Sequence, residues 1–390
     1  MNDAQIPLSA PDITEAEIEA VTAVLRTPRL SLGPELEAFE CALADYHAVD
    51  HAVAVSSGTA ALHLALLVLG VGQGDEVIIP SFAFVAVANA VLQVQATPVF
   101  AEIDPFTLNL DPACVEAAIT PRTRAMLVVH TFGVPAEMDA LQTIARRHGL
   151  FLIEDACEAA GARFGDPPIN RRVGSFGYLA VLGFYPNKQL TTGEGGAVLC
   201  HDAAFAGRLR SMRNQGRSTD SGPSTSEIEE GSRSPDWLDH AEFGYNYRLS
   251  ELACALGRVQ LNRLDKMLAL REAAAKRYDA LLAEIPCIER PPLTLPRRVI
   301  SWFVYAVRLP EHVDRSAVQA KLAEHGIATG RYFPPIHLQP AWRQHSSAHI
   351  SLPITEAIAL RMLALPFFNR IEECQQQAVA DALRHALFER

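Results

Sequence analysis

The sequence is poor in lysine and has no block of consecutive like charges. Of 34 basic residues only Lys188, Lys266, Lys276 and Lys321 are lysines, and Lys188 stands alone in the first 265 positions. Against 45 acidic residues this gives a formal net charge of −11. A nucleic-acid partner needs a basic face or stripe and is not expected. An acidic chain still has room for a local basic pocket that holds a phosphate. Long apolar runs are absent too: the stretch from Ala60 to Gly72 is broken by His63 and Gly70, short of the roughly 18–20 residues that a membrane helix needs. The opening residues, Met1 to Pro7, show neither a basic nor an apolar signal region, so no signal peptide, no membrane partner and a cytoplasmic location are expected. Seven cysteines (Cys41, Cys114, Cys157, Cys200, Cys254, Cys287, Cys374) are scattered, odd in number and never spaced CxxC. That is the usage of a reducing compartment, with neither a disulfide frame nor a metal site. No internal repeat of fixed period is present.

What the sequence does have is length and a regular rhythm. At 390 residues, 49 % of them hydrophobic, it fits a large domain with a smaller companion better than one core, since single cores stop growing near ~250–300 residues. Apolar strand-like runs at 51–55, 77–80, 98–102, 125–129 and 151–154 alternate with helical patterns at 59–69, 85–92, from Asp111-Pro112 onward, and at 138–148. Short strands that are apolar throughout predict an α/β fold with a mostly parallel central sheet covered by helices. Residues 217–240, rich in Ser, Gly, Pro and Glu, read as a long mobile loop. A long helical pattern over 250–285 follows, then a strand at 302–308 and helices at 314–325 and 372–387. The expected division is 1–250 for the large domain, and 251–390 for the connecting helix and a small α+β domain.

Three motifs carry chemistry. In Ser56-Ser57-Gly58-Thr59-Ala60-Ala61, between strand and helix, Gly58 lets the backbone approach a ligand while Thr59 and the first N–H groups face outward as an anion cup. A plain N-cap by Ser57 or Thr59 is the alternative. The strand Phe151-Leu152-Ile153-Glu154-Asp155 ends in acids at the carboxyl edge, where such sheets bind ligands. Asp155 there would hold a proton on a cationic group, or merely cap a following helix. Lys188 sits in Gly183-Phe184-Tyr185-Pro186-Asn187-Lys188-Gln189, followed by Thr191-Thr192-Gly193-Glu194-Gly195-Gly196. The order GxxxxGK[ST] is missing, so this is no P-loop; a buried lysine suits Schiff-base chemistry. A phosphate anchor, an acid for a pyridinium nitrogen and an imine-forming lysine together describe a pyridoxal-phosphate site.

These motifs, together with Pro80-Ser81-Phe82-Ala83-Phe84 and Gly244-Tyr245-Asn246-Tyr247-Arg248-Leu249-Ser250-Glu251, resemble the DegT/DnrJ/StrS-type sugar aminotransferases of the aspartate-aminotransferase fold (fold type I) over nearly the whole chain. The resemblance implies that Lys188 forms the Schiff base with pyridoxal 5'-phosphate and that Asp155 pairs with the pyridinium nitrogen. It implies that Gly58 and Thr59 bind the phosphate, and that Phe84 lies over the cofactor rather than in ordinary core. Asn246, otherwise a turn residue, would reach the phosphate of the other subunit in a homodimer with shared sites. The family usually has Ser where this chain has Gly183, and many members have Gln where it has Glu158 beside the cofactor, a feature similar to the perosamine-synthase-like branch. A dehydratase branch replaces the Schiff-base lysine by His, and Lys188 argues against it. The implied activity is ping-pong transfer of an amino group from glutamate (or glutamine) to a keto sugar nucleotide, such as a 4-keto-6-deoxy sugar. The alternatives are a keto-cyclitol aminotransferase and a cofactor-binding regulatory protein. Arg331 and His337 are candidates for a donor carboxylate or a nucleotide phosphate, or else surface structure of the small domain.

Overall fold

The computed structural model describes residues 5–168, 170–217, 239–345 and 350–388. Helices α1 (Glu15–Leu25) and α2 (Pro34–His47) come first. A capping box of Thr14 and Glu17 starts α1, and Pro34 starts α2 at a position where no N–H is needed. Strand and helix then alternate through β1 (His51–Val55), α3 (Gly58–Val68), β2 (Glu76–Pro80), α4 (Ala86–Gln93) and β3 (Thr97–Ala101). Next come α5 (Pro112–Ala117), β4 (Thr123–Val129), α6 (Met138–His148) and β5 (Phe151–Asp155). Two short strands, β6 (Arg163–Phe164) and β7 (Arg171–Arg172), precede β8 (Leu179–Gly183), β9 (Gly196–Cys200) and α7 (Ala203–Arg213).

Seven strands make one sheet in the order β1-β9-β8-β5-β4-β2-β3. Its pairs are parallel except on the two sides of β9, so the sheet is mostly parallel, as its strands predict. Alternate strand residues feed cores on opposite faces. Val53, Val77, Leu127, Ile153, Val181 and Val198 pack with α3, α4 and α7. Ala54, Leu182 and Leu199 meet α2, while Ile78, Met126, Val128 and Leu152 meet α6. With both faces covered, each large aliphatic strand residue contributes roughly 1.5–3 kcal/mol by leaving water. The parallel strands β1, β2, β4, β5 and β8 all end at one edge of the sheet.

The rest of the chain forms α8 (Glu251–Asn262), α9 (Leu264–Leu282), β10 (Arg298–Val299), β11 (Tyr305–Arg308) and α10 (Arg315–Glu324). After these come α11 (Pro340–His345), α12 (Pro353–Arg361), β12 (Met362–Leu365) and α13 (Glu373–Phe388). β11 and β12 pair antiparallel over a core of Tyr278, Leu282, Val307, Leu322, Leu363 and Leu383, which Ile6 joins from the start of the chain. We propose the two-lobe division on this basis, with the change of lobe along α8 and α9.

Two expectations differ from the structure. The helical pattern over 250–285 is two helices, broken at Arg263, whose guanidinium is drawn aside to Asp12 and Glu17 before and in α1. The strand expected at 302–308 begins only at Tyr305, because Ser301 and Phe303 donate their N–H groups to Gly133 and Phe132 instead. The loop at 217–240 lies outside the described residues except for Arg217, Asp239 and His240, where Arg217 bridges His240. No helix among the described residues is long and apolar enough to cross a membrane.

Candidate active site

The carboxyl edge of the sheet opens into a cavity of about 530 Å³, lined among others by Gly58, Thr59, Phe84, Asp155, Glu158 and Lys188. Six residues from four separate motifs thus share one cavity.

Glycines build the anion cup. Ser57 caps α3, its Oγ accepting the Ala60 N–H at 3.1 Å, so the N-cap and the cup are one structure. A Cβ on Gly196 would lie 2.6 Å from the Ser57 carbonyl, so β9 starts hard against the helix start. Gly196 is paired in register with Gly183 at the end of β8. The start of α3 at Gly58 and Thr59, whose N–H groups have no partners within the helix, therefore lines the cavity beside Gly183, Gly195 and the Cys157 side chain.

Asp155 ends β5 and is 7 % exposed. Its backbone carbonyl accepts the His130 N–H at 3.0 Å, and its Oδ1 accepts the Cys157 N–H at 3.0 Å. No helix follows it, which removes the helix-cap reading. Beneath it, Glu154 accepts bonds from Gly174, Phe176 and Gly177 N–H at 2.6–2.7 Å. Its fourth is from His130 Nε2 at 3.1 Å. Because His130 Nδ1 accepts the Ala136 N–H at 3.0 Å, its proton is on Nε2. These bonds hold the Glu154 carboxyl below its ordinary range despite burial.

Lys188 Nζ sits 3.4 Å from Glu158 Oε1 and 4.2 Å from the centroid of the Phe303 ring. Glu158 Oε2 accepts the N–H of Phe132, which is held in the left-handed region at φ 56°. Burial raises the Glu158 carboxyl, and the Lys188 charge opposes that rise. Phe84 is 61 % exposed, an aromatic face left open at the cavity.

The structure does not bring the remaining candidates into the cavity. Arg331 is turned onto α10, donating to Gln319 Oε1 and Ser316 Oγ at 3.2 Å each. His337 is buried between Ser81 Oγ at 2.6 Å and Glu356 at 3.1 Å. Arg331 thus lies at the surface, whereas His337 is buried against Ser81 and not at the surface of the small domain. Asn246 is exposed and bridges Asn214. The sequence did not single out Cys157, Phe303, Tyr332 or Phe333, all of which line the cavity. Nor did it single out Asn187, which does so too and whose buried Oδ1 has no partner. Only Asn187 carried a signal, its place beside Lys188.

The pattern of the DegT/DnrJ/EryC1/StrS aminotransferase family matches residues 11–384. The chain belongs to this family. GDP-perosamine synthase of Caulobacter vibrioides is 37 % identical over 390 residues, covering 98 % of both chains. The dTDP-3-amino-3,4,6-trideoxy-alpha-D-glucose transaminase of Streptomyces venezuelae is 41 % identical over 367 residues, 94 % of this chain and 90 % of its own. The crystal structure of S. venezuelae DesV in complex with a ketimine intermediate superposes with a TM-score of 0.86 at 41 % identity, covering 99 % of each chain. These relatives match this aminotransferase over nearly their full length, and Gly58, Thr59, Phe84, Asp155, Glu158 and Lys188 share the cavity at the carboxyl edge of its sheet.

Proposed function

We propose that this aminotransferase moves an amino group from glutamate or glutamine to the ketone of a nucleotide-linked sugar, a 4-keto-6-deoxy sugar, with pyridoxal 5'-phosphate as cofactor. The observation that carries this is the meeting of Lys188, Asp155 and the start of α3 in one cavity. The names of the two relatives, both ending on a nucleotide-linked sugar, supply the substrate class.

The cavity fits that cofactor on its own features. The start of α3 suits a phosphate, Asp155 offers a buried carboxylate to a cationic ring nitrogen, and Phe84 presents an open aromatic face. Bound there, the cofactor supplies a carbonyl carbon for an amine and an electron sink for a carbanion next to nitrogen. Lys188 Nζ would hold the group, and as a free amine would accept and return the substrate proton. Asp155 would keep its proton partner charged, and Glu158 and Phe303 flank the lysine nitrogen. Donor and acceptor use the cavity in turn, so the enzyme turns over by a ping-pong scheme. The protein works as a cytoplasmic homodimer, with Asn246 serving the other subunit's phosphate.

A product assay tests this. Purified enzyme with glutamate is offered a panel of keto sugar nucleotides and keto-cyclitols, and aminated products are read by mass spectrometry. Amination of a 4-keto-6-deoxy sugar nucleotide is the expected result. Amination of keto-cyclitols alone overturns the substrate class, and no amination of any ketone overturns the activity.

A further inference from the structure

Cys157, between Asp155 and Glu158, has no part in the scheme above, yet it lines the same cavity. Its sulfur occupies space that two glycines leave free. A Cβ on Gly183 would lie 3.1 Å from Cys157 Sγ and 3.2 Å from its Cβ, and a Cβ on Gly58 would lie 3.2 Å from the same Sγ. Carbon atoms in ordinary contact are about 3.5–4.0 Å apart, so a side chain at either glycine requires the sulfur to give way by a few tenths of an ångström. The two glycines belong to different elements, the start of α3 and the end of β8. The Cys157 backbone is held by its N–H to Asp155 Oδ1 at 3.0 Å, and its Sγ lies 3.9 Å from the Val181 carbonyl of β8.

We propose that Cys157 is a positioning residue that sets the width of the anion cup: its sulfur spaces α3 from β8, and it is the reason position 183 is glycine. Adding a carbon at 183 drives the sulfur toward Gly58 and moves the helix start away from β8. Burial and the neighbouring Asp155 push the thiol well above its usual range, so the spacer is uncharged and does not repel an anion in the cup. The proposal deepens the pyridoxal-phosphate reading and rests on it.

The test is a double-mutant cycle on apoprotein, using wild type, G183A, C157G and G183A/C157G, with G183A/C157A as an intermediate case. Dissociation constants are measured at equilibrium for pyridoxal phosphate and for pyridoxal, which lacks the phosphate, and thermal midpoints are recorded without ligand. G183A is expected to weaken pyridoxal phosphate about tenfold, and G183A/C157G to return within about threefold of wild type, the non-additivity of residues in contact. G183A/C157A recovers less, since the Cβ at 157 still crowds the added carbon. Pyridoxal binds all variants alike. Additive losses overturn the pairing, and a matching loss for pyridoxal overturns its place at the phosphate end. If G183A lowers the thermal midpoint, C157G must restore it in the double variant, and failure to do so overturns the steric argument. Wild-type protein that binds neither compound overturns the cofactor reading itself, and this proposal with it.

Discussion

At the scale of single residues, the lysine count makes the central assignment easy to check. Borohydride reduction of the enzyme with its cofactor, followed by peptide mapping, is expected to place the adduct on Lys188. A reduced adduct found on Lys266, Lys276 or Lys321 alone removes the assignment. Lys188→Ala is expected to lose at least about a thousandfold in kcat, as for other groups that both hold and deprotonate substrate. For Asp155→Asn a carboxylate facing a cationic ring becomes neutral, and kcat is expected to fall about a hundredfold or more with the thermal midpoint nearly unchanged; near wild-type turnover would give the carboxylate another role. Glu158→Gln keeps the acceptor for the Phe132 N–H and is expected to retain cofactor binding and measurable activity. Loss of all turnover with cofactor still bound would make Glu158 an essential acid or base. Lys188, Asp155 and Gly58 were legible in the sequence because each sits in a local motif whose chemistry is uncommon. Phe303 and Tyr332 were not, because they reach the cavity from the C-terminal half of the chain and nothing in their neighbours' spacing distinguishes them from core. Arg331 and His337 show the converse: their polar side chains, singled out in the sequence, are taken up by α10 and by Ser81.

At the scale of elements, the strands of the sheet were legible because burial on both faces leaves uninterrupted apolar runs, and helices such as α6, closed by Gly149 in the left-handed region at φ 66°, carry their own stop signals. The break between α8 and α9 was hidden, since neither proline nor glycine marks it, and the partners of Arg263 at the break, Asp12 and Glu17, lie some 250 positions away. α2 ends on a histidine with a consequence for acid stability. His47 is 1 % exposed, its Nδ1 donates to the Val173 carbonyl at 3.0 Å, and burial pushes it down to about 4. As pH falls below the ordinary value near ~6.5, the unfolded chain takes up a proton that the folded one refuses, so folding stability declines down to about 4, by up to about 3 kcal/mol. Urea melts across this range are expected to show a shallower acid decline for His47→Gln than for wild type, whatever the offset between them. Parallel curves would mean that His47 does not carry the effect.

At the scale of the whole molecule, the proposal that Asn246, exposed and outside the cavity lining of its own chain, serves a second chain's site is open to a direct test. Lys188→Ala and Asn246→Ala chains, each poorly active at limiting cofactor, are to be unfolded and refolded together. In a mixed dimer one site inherits both lesions and the other neither, so random pairing is expected to restore about a quarter of wild-type sites across a two-fold interface. Activity that stays at the mean of the two parents, with mixed dimers confirmed by tagged pull-down, would place both residues in the same chain's site. The reversed strand β9 bears on how such a site is born. Its start seals the cup, yet it follows Ser57 by about 140 residues. At the roughly 5–20 residues per second of translation, the helix start leaves the ribosome about ten seconds before the strands that complete its binding surface. On the proposed function, the first sixth of the chain therefore has no vitamin-derived ligand to fold around, and nascent protein must assemble its sheet before the cofactor can be captured.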